Sequence, residues 1–135
     1  MSVFVDTSAF LALMDADDAG HPAVKTAWAE LVRNDARLWC TSYVVVETCA
    51  LVQSRLGLEA LRPYDGDVLP VVAIHWVAKS DHEAGMSAVL AANRKKLSLV
   101  DCVSFAVMRA SGAKRALAVD SHFEEQGFEV IPKVG

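Results

Sequence analysis

Short β-branched runs alternate with longer stretches of helical period along the whole chain, and this alternation is the signature of a parallel sheet joined by helical crossovers. Residues 2–6 read as a first strand and residues 7–15 as a helix. A second helix is expected over 21–34, where Val24, Ala27, Trp28, Leu31 and Val32 share one apolar face. Residues 38–41 form the next strand, after which Ser42 caps a helix that runs through Leu56 and is stopped by Gly57. The stretch 58–69 reads as a partial helix, broken around Pro63 and a turn at Asp65-Gly66-Asp67. Residues 71–77 form a strand. The capping-box pattern Ser80-Asp81-His82-Glu83 opens a helix to about residue 96. A further helix covers 98–111 and closes at Gly112. Two last strands lie at 116–119 and 128–131, with a short helical turn between them. The fold class that follows is α/β: a three-layer α/β/α sandwich with a central, mostly parallel sheet, in one domain spanning residues 1–135.

Composition narrows the function classes. Apolar residues make up 53% and charged residues 22% of the 135, as in a globular protein. Ser2-Val3-Phe4-Val5 is too short and unflanked for a secretory signal, and no apolar run approaches the ~20 residues of a membrane span. A cytoplasmic location is therefore expected. Cys40, Cys49 and Cys102 lack any metal-binding spacing and sit in apolar stretches, which reads as three buried thiols. The net charge of −4 argues at first against a nucleic-acid partner. A cleft of acids that holds divalent cations need not repel phosphate, however. Basic residues remain for its rim: Arg55, Arg62 and the run Asn93-Arg94-Lys95-Lys96. A solvated helix end would present the same run.

Seventeen residues are acidic, and four of them sit among apolar neighbours. Asp6 ends Val3-Phe4-Val5, and Asp120 ends Leu117-Ala118-Val119. Glu47 follows Tyr43-Val44-Val45-Val46, and Asp101 lies between Leu99-Val100 and Cys102-Val103. A carboxylate in a low-dielectric region costs several kcal/mol unless it is paired or coordinates a cation. Asp6 and Asp120 also fall at the carboxyl ends of expected parallel strands, the edge of an open α/β sheet where ligands bind.

Each acid has a structural explanation beside the functional one. Asp6 could cap the following helix. Asp101 stands three residues after Ser98, at capping-box spacing. Asp120 could cap too, but Ser121 and Glu124 form a capping-box pair just after it and leave it less employed. Glu47 has Tyr43 and Leu51 at i−4 and i+4, so no local basic partner, and only a long-range ion pair with an arginine would explain it. Four such acids without four evident cations suggest a shared metal, and clustered oxygen ligands suit Mg²⁺ or Mn²⁺ better than zinc.

Taken in order, Val5-Asp6-Thr7-Ser8, Glu47, Leu99-Val100-Asp101-Cys102 and Ala118-Val119-Asp120-Ser121-His122-Phe123, followed by Gly127-Phe128 and Ile131-Pro132, resemble the PIN-domain nucleases. The likeness spans essentially the whole chain and is strongest to the short VapC-type toxins of toxin–antitoxin pairs. It implies a three-layer fold, a metal-dependent endoribonuclease, a homodimer, and a cognate antitoxin that blocks the site. Carried over by position, Asp6, Glu47, Asp101 and Asp120 match the family's acidic quartet, as catalytic residues and metal ligands. Ser8 matches the small hydroxyl residue that follows the first acid, with a part in positioning substrate or water. Ala118 departs from the Thr or Ser often found two residues before the last acid.

The expected chemistry is hydrolysis of RNA phosphodiester bonds with one or two Mg²⁺ or Mn²⁺ ions. Asp6 would be the central ligand, Glu47 and Asp101 would lie beside it, and Asp120 would hold a second ion or orient the attacking water. His21, His75, His82 and His122 show no mutual pattern and receive no role. Two other readings stay open. A magnesium-dependent phosphohydrolase would use Asp6 as nucleophile, but it generally needs a second acid where Ser8 stands. A non-catalytic RNA-binding module of the same fold would usually have lost an acid, and all four are present.

Overall fold

The computed structural model describes residues 1–133 and places five parallel strands in the order β3-β2-β1-β4-β5. They are β1 (Ser2–Val5), β2 (Arg37–Thr41), β3 (Val72–His75), β4 (Arg115–Leu117) and β5 (Glu129–Ile131). Seven helices connect them: α1 (Thr7–Met14), α2 (His21–Arg33), α3 (Ser42–Leu56), α4 (Leu58–Pro63), α5 (Lys79–Ala92), α6 (Leu99–Ser111) and α7 (His122–Glu125). Right-handed crossovers put α1 to α4 on one face of the sheet and α5 to α7 on the other. Aromatic packing follows that division. Phe10 of α1 meets Trp28 of α2 and Tyr64 on the first face. Phe4 of β1 meets Trp39 of β2 and Phe123 of α7 on the second, where Phe105 also packs on Phe123.

β1 is the central strand, buried at Val3, Phe4 and Val5, which is why that run is apolar without alternation. Its neighbours come from distant parts of the chain: Phe4 is in register with Trp39 of β2 and with Ala116 of β4. The α5–α6 pair on the second face is close-packed at Gly85, where a Cβ would collide with the Val103 side chain.

Several element boundaries differ from the sequence reading, each for a local reason. Thr41, not Ser42, is the cap of α3; its hydroxyl accepts the Val44 N–H, while the Ser42 hydroxyl accepts the Val77 N–H across the sheet edge. The Ser80–Glu83 capping box does not form. α5 starts two residues earlier with Ala78 as cap, and the Asp81 carboxylate takes the Ala78 N–H at 2.9 Å. α5 ends at Ala92 because Asn93 turns left-handed at φ 51°, so Arg94, Lys95 and Lys96 lie in a loop and not on a helix end. Asp65-Gly66-Asp67 is no open turn; it lies within a π-helical turn, Tyr64–Val68, that follows Pro63. Of the three thiols, Cys40 and Cys102 are buried and Cys49 is half-buried; all are free. No helix of the described residues is long and apolar enough to cross a membrane.

Candidate active site

Three of the four singled-out acids converge at the carboxyl edge of the sheet, each at the start of a helix. Asp6 follows β1 and caps α1: its Oδ2 accepts the Ser8 N–H at 3.1 Å and the Ser8 hydroxyl at 2.7 Å. Asp101 sits in the first turn of α6 in a complete capping box. Its Oδ2 accepts the Ser98 N–H at 3.2 Å, and its own N–H donates to the Ser98 hydroxyl at 3.1 Å. Asp120 lies three residues beyond the end of β4, and its Oδ1 accepts the His122 N–H at 3.1 Å. The expected Ser121–Glu124 box is not made, since the Ser121 hydroxyl reaches Glu125 instead, and Asp120 itself does the capping.

Capping and ligation are therefore compatible. Each acid engages one carboxylate oxygen locally, and among the described residues Asp6 Oδ1, Asp101 Oδ1 and Asp120 Oδ2 receive no hydrogen bond. Carboxylate oxygens of Asp101 and Asp120 and a ring nitrogen of His122 lie within 4.8 Å of one another. His122 Nδ1 is 3.3 Å from Asp101 Oδ2 but out of line for a hydrogen bond, so a buried ring nitrogen is left without a partner.

The electrostatics are those of an anionic pocket short of positive charge. Asp6 is only 2% exposed, and burial pushes its carboxyl up to about 8, with the charges of Asp120 and then Asp101 adding to the rise while the Ser8 hydrogen bonds pull against it. Asp101 is also raised, by burial first and by Asp120, and is held back by the Ser98 N–H and by His122. No lysine or arginine makes an ion pair with any of these three among the described residues. A divalent cation fits this donor set. It would supply the missing charge between Asp101, Asp120 and the His122 ring, whose ligand atoms lie close enough to share an ion, with the buried Asp6 carboxyl beside them.

Known proteins resemble this chain along nearly its whole length. Residues 3–129 match the model of the PIN domain family. The chain belongs to the PIN domain family. It is 34% identical over 133 residues to the 23S rRNA-specific endonuclease VapC20 of Mycobacterium tuberculosis, a match that covers 97% of this chain and 99% of that protein. The crystal structure of VapC20, described as a sarcin–ricin loop cleaving toxin, superposes with a TM-score of 0.83 at 31% identity over 93% of this chain and 95% of that one. VapBC2 from Rickettsia felis, crystallised with a DNA fragment from its promoter, shares the fold at a TM-score of 0.71 and 11% identity, with 96% of this chain and 97% of that one covered.

Three further residues of this PIN domain bear on the expected site. Glu47 lies half-buried on α3, makes no hydrogen bond or ion pair among the described residues, and is not among the charges that move Asp6 or Asp101. The Ser8 hydroxyl donates to Asp6 and accepts the Val119 N–H at 3.0 Å, so it ties the first acid to the segment that carries Asp120. Ala118, where the family often has a hydroxyl, is buried, and its N–H bonds to the Ile131 carbonyl.

His122 is the residue that sequence reasoning passed over. The available signal was its position two residues after Asp120. What makes it part of the site is its approach to Asp101, a tertiary contact that spacing does not reveal. Of the basic rim, Arg94 pairs with Glu125 at 3.2 Å, which sets the 93–98 loop beside α7, the helix of His122.

Proposed function

We propose that this PIN domain is a metal-dependent endoribonuclease that hydrolyses RNA phosphodiester bonds and acts as the toxin of a toxin–antitoxin pair. The observation that carries this reading is the convergence of Asp6, Asp101 and Asp120 on one sheet edge with no basic partner among the described residues. Similarity to VapC20 along nearly the whole chain supports the choice of RNA, and makes 23S ribosomal RNA the first substrate to try.

In this reading Asp6, Asp101 and Asp120 hold one or two Mg²⁺ or Mn²⁺ ions, and Glu47 completes the catalytic quartet from α3. When bound, the metal supplies Lewis acidity toward a phosphoryl oxygen and eases ionisation of water. The chain's own residues set up the rest. Ser8 positions Asp6 and joins it to the Val119–Asp120 segment. His122 holds Asp120 through its N–H, and its ring nitrogen stands beside the Asp101 carboxylate, within reach of the same ion. The three helix N-termini soften the repulsion among the acids. RNA enters along the carboxyl edge, between α3 and the 93–98 loop. In the same proposal the protein works in the cytoplasm as a homodimer that a cognate antitoxin holds inactive.

The test is cleavage of purified 23S ribosomal RNA and of single-stranded RNA with Mg²⁺, Mn²⁺ or EDTA, beside Asp6→Asn. Metal-dependent cutting that disappears in the variant supports the reading. Equal cutting by both proteins exposes a contaminant, and wild-type protein that neither cuts RNA nor binds Mn²⁺ in calorimetry sinks it.

A further inference from the structure

The three tryptophans occupy different environments. Trp39 is buried against Phe4, and Trp28 is half-buried beside Phe10. Trp76 is 73% exposed, the most exposed large apolar side chain among the described residues, and no ring or cation of those residues stacks on it. Leaving an indole in water is unfavourable, yet the backbone around it is fastened on both sides. Asp81 Oδ2 accepts His75 Nε2 at 3.0 Å and the Ala78 N–H at 2.9 Å, while the Ser42 hydroxyl accepts the Val77 N–H at 2.9 Å. The turn from His75 to Ala78 therefore presents one aromatic ring on a fixed frame.

The sheet fixes where that ring stands. His75 is in register with Thr41, and continuing the β1–β2 pairing by two residues puts Thr41 level with Asp6. Two strand spacings separate Asp6 from His75, roughly 10 Å along the carboxyl edge. Trp76 comes next, outside edge strand β3.

We propose that Trp76 is a stacking platform for an unpaired RNA base beside the scissile phosphate, a substrate-positioning residue for the reaction above, on which this inference rests. A base has two apolar faces and needs no apolar surround, and single-stranded RNA is held by such rings. A protein partner would want a contiguous apolar patch. From residue 72 to 83 Trp76 alone is an exposed large apolar side chain: His75 and Lys79 are exposed, Asp81 and His82 are half-buried, and the apolar neighbours are only a half-buried Val77 and an exposed Ala78. Fastening the backbone that carries the ring before RNA arrives removes part of the ordering cost of binding.

The test uses the full chain in EDTA, so that nothing is cut. The probes are a single-stranded mixed-sequence RNA oligomer and an abasic ribose-phosphate oligomer of the same length. Tryptophan emission and labelled-oligomer anisotropy are read for wild type, Trp76→Ala and Trp76→Phe. RNA should quench wild-type emission. Trp76→Ala should weaken RNA binding by about five- to a hundredfold, the worth of one stacked base. Trp76→Phe should restore it to within about threefold, and the abasic oligomer should bind all three alike. Trp76→Ala that binds RNA as wild type does overturns the stacking role alone. A Trp76→Ala protein that changes oligomeric state in light scattering, with RNA affinity unmoved, shows that a second copy covers the ring. Wild type that neither binds nor, with Mn²⁺, cuts RNA overturns the ribonuclease reading and this inference with it.

Discussion

Asp81 and Asp101 occupy the same position in their helices, the third residue of the first turn, and each takes a backbone N–H from its cap residue and lies beside a histidine. Their chemistry nevertheless diverges. Asp81 is held below the usual carboxylate range by its hydrogen bond from His75 and by the Ala78 N–H. Asp101 is pushed above that range, by burial first and by the Asp120 charge, against the pull of Ser98 and His122. The local motif is shared, and the surroundings decide. Asp81 stands beside edge strand β3, near solvent. Asp101 faces the ends of β1 and β4, where Asp6 and Asp120 already crowd the pocket with negative charge.

That contrast can be broken by experiment. Asp101→Asn should lower RNA cleavage by more than about a hundredfold even at saturating RNA, beyond what an outer partner costs, and should remove Mn²⁺ binding in calorimetry. Asp81→Asn should keep Mn²⁺ binding and act on KM, by about threefold, through the loosened Trp76 frame. Equal loss of metal binding in the two variants would erase the distinction. His122→Ala should cost roughly 10- to 100-fold in metal affinity, as expected for a group that orients ligands; calorimetry with Mn²⁺ checks it.

The smaller effects concern stability and pH. Asp6 carries a folded-state value of about 8 against an ordinary 3.8, so between those values the folded, metal-free protein holds a proton that the unfolded chain has lost. Stability in EDTA must then fall as pH rises through that window. Asp6→Asn should flatten the profile and stabilise the metal-free protein by roughly 2–4 kcal/mol at pH 8, seen as a higher Tm; saturating Mn²⁺ should raise Tm in wild type and not in this variant. For Asp81 the sign is opposite. Its folded value lies below 3.8, so its contribution is present above that pH and fades as pH falls through the depressed value. Asp81→Asn should cost about 1 kcal/mol at neutral pH, the usual worth of a cap, measured by urea unfolding.

The fold was legible because strand–helix alternation is periodic information, local to each segment. The strand runs, the seven helical stretches counting the turn at α7, and the placement of Asp6 and Asp120 at carboxyl ends all come from it. Boundaries were legible only where one residue had one available partner, as at Ser98–Asp101 and Gly112. At Ser80–Glu83 the same four-letter pattern competed with an acid that could reach back to Ala78, and the backbone chose the latter. The site was partly legible because acids among apolar neighbours stand out. His122 did not, since an imidazole near an apolar run is unremarkable until Asp101 is folded against it. Glu47 stood out as strongly as the others, and it lies half-buried on α3 with no hydrogen bond or ion pair among the described residues.

The pairing of β1 with β4 joins the Asp6 N–H to the Leu117 carbonyl, and Ser8 to Val119. In the order of synthesis these partners lie near opposite ends of the described chain. A growing polypeptide thus carries its first acid long before the strand that supports it, and Asp101, Asp120 and His122 emerge late. The three acids come together only after most of the chain has left the ribosome and the β1–β4 loop has closed. The pocket, in this arrangement, is a property of the closed sheet: it forms in one step when β4 docks on β1, and no shorter stretch of the chain carries it.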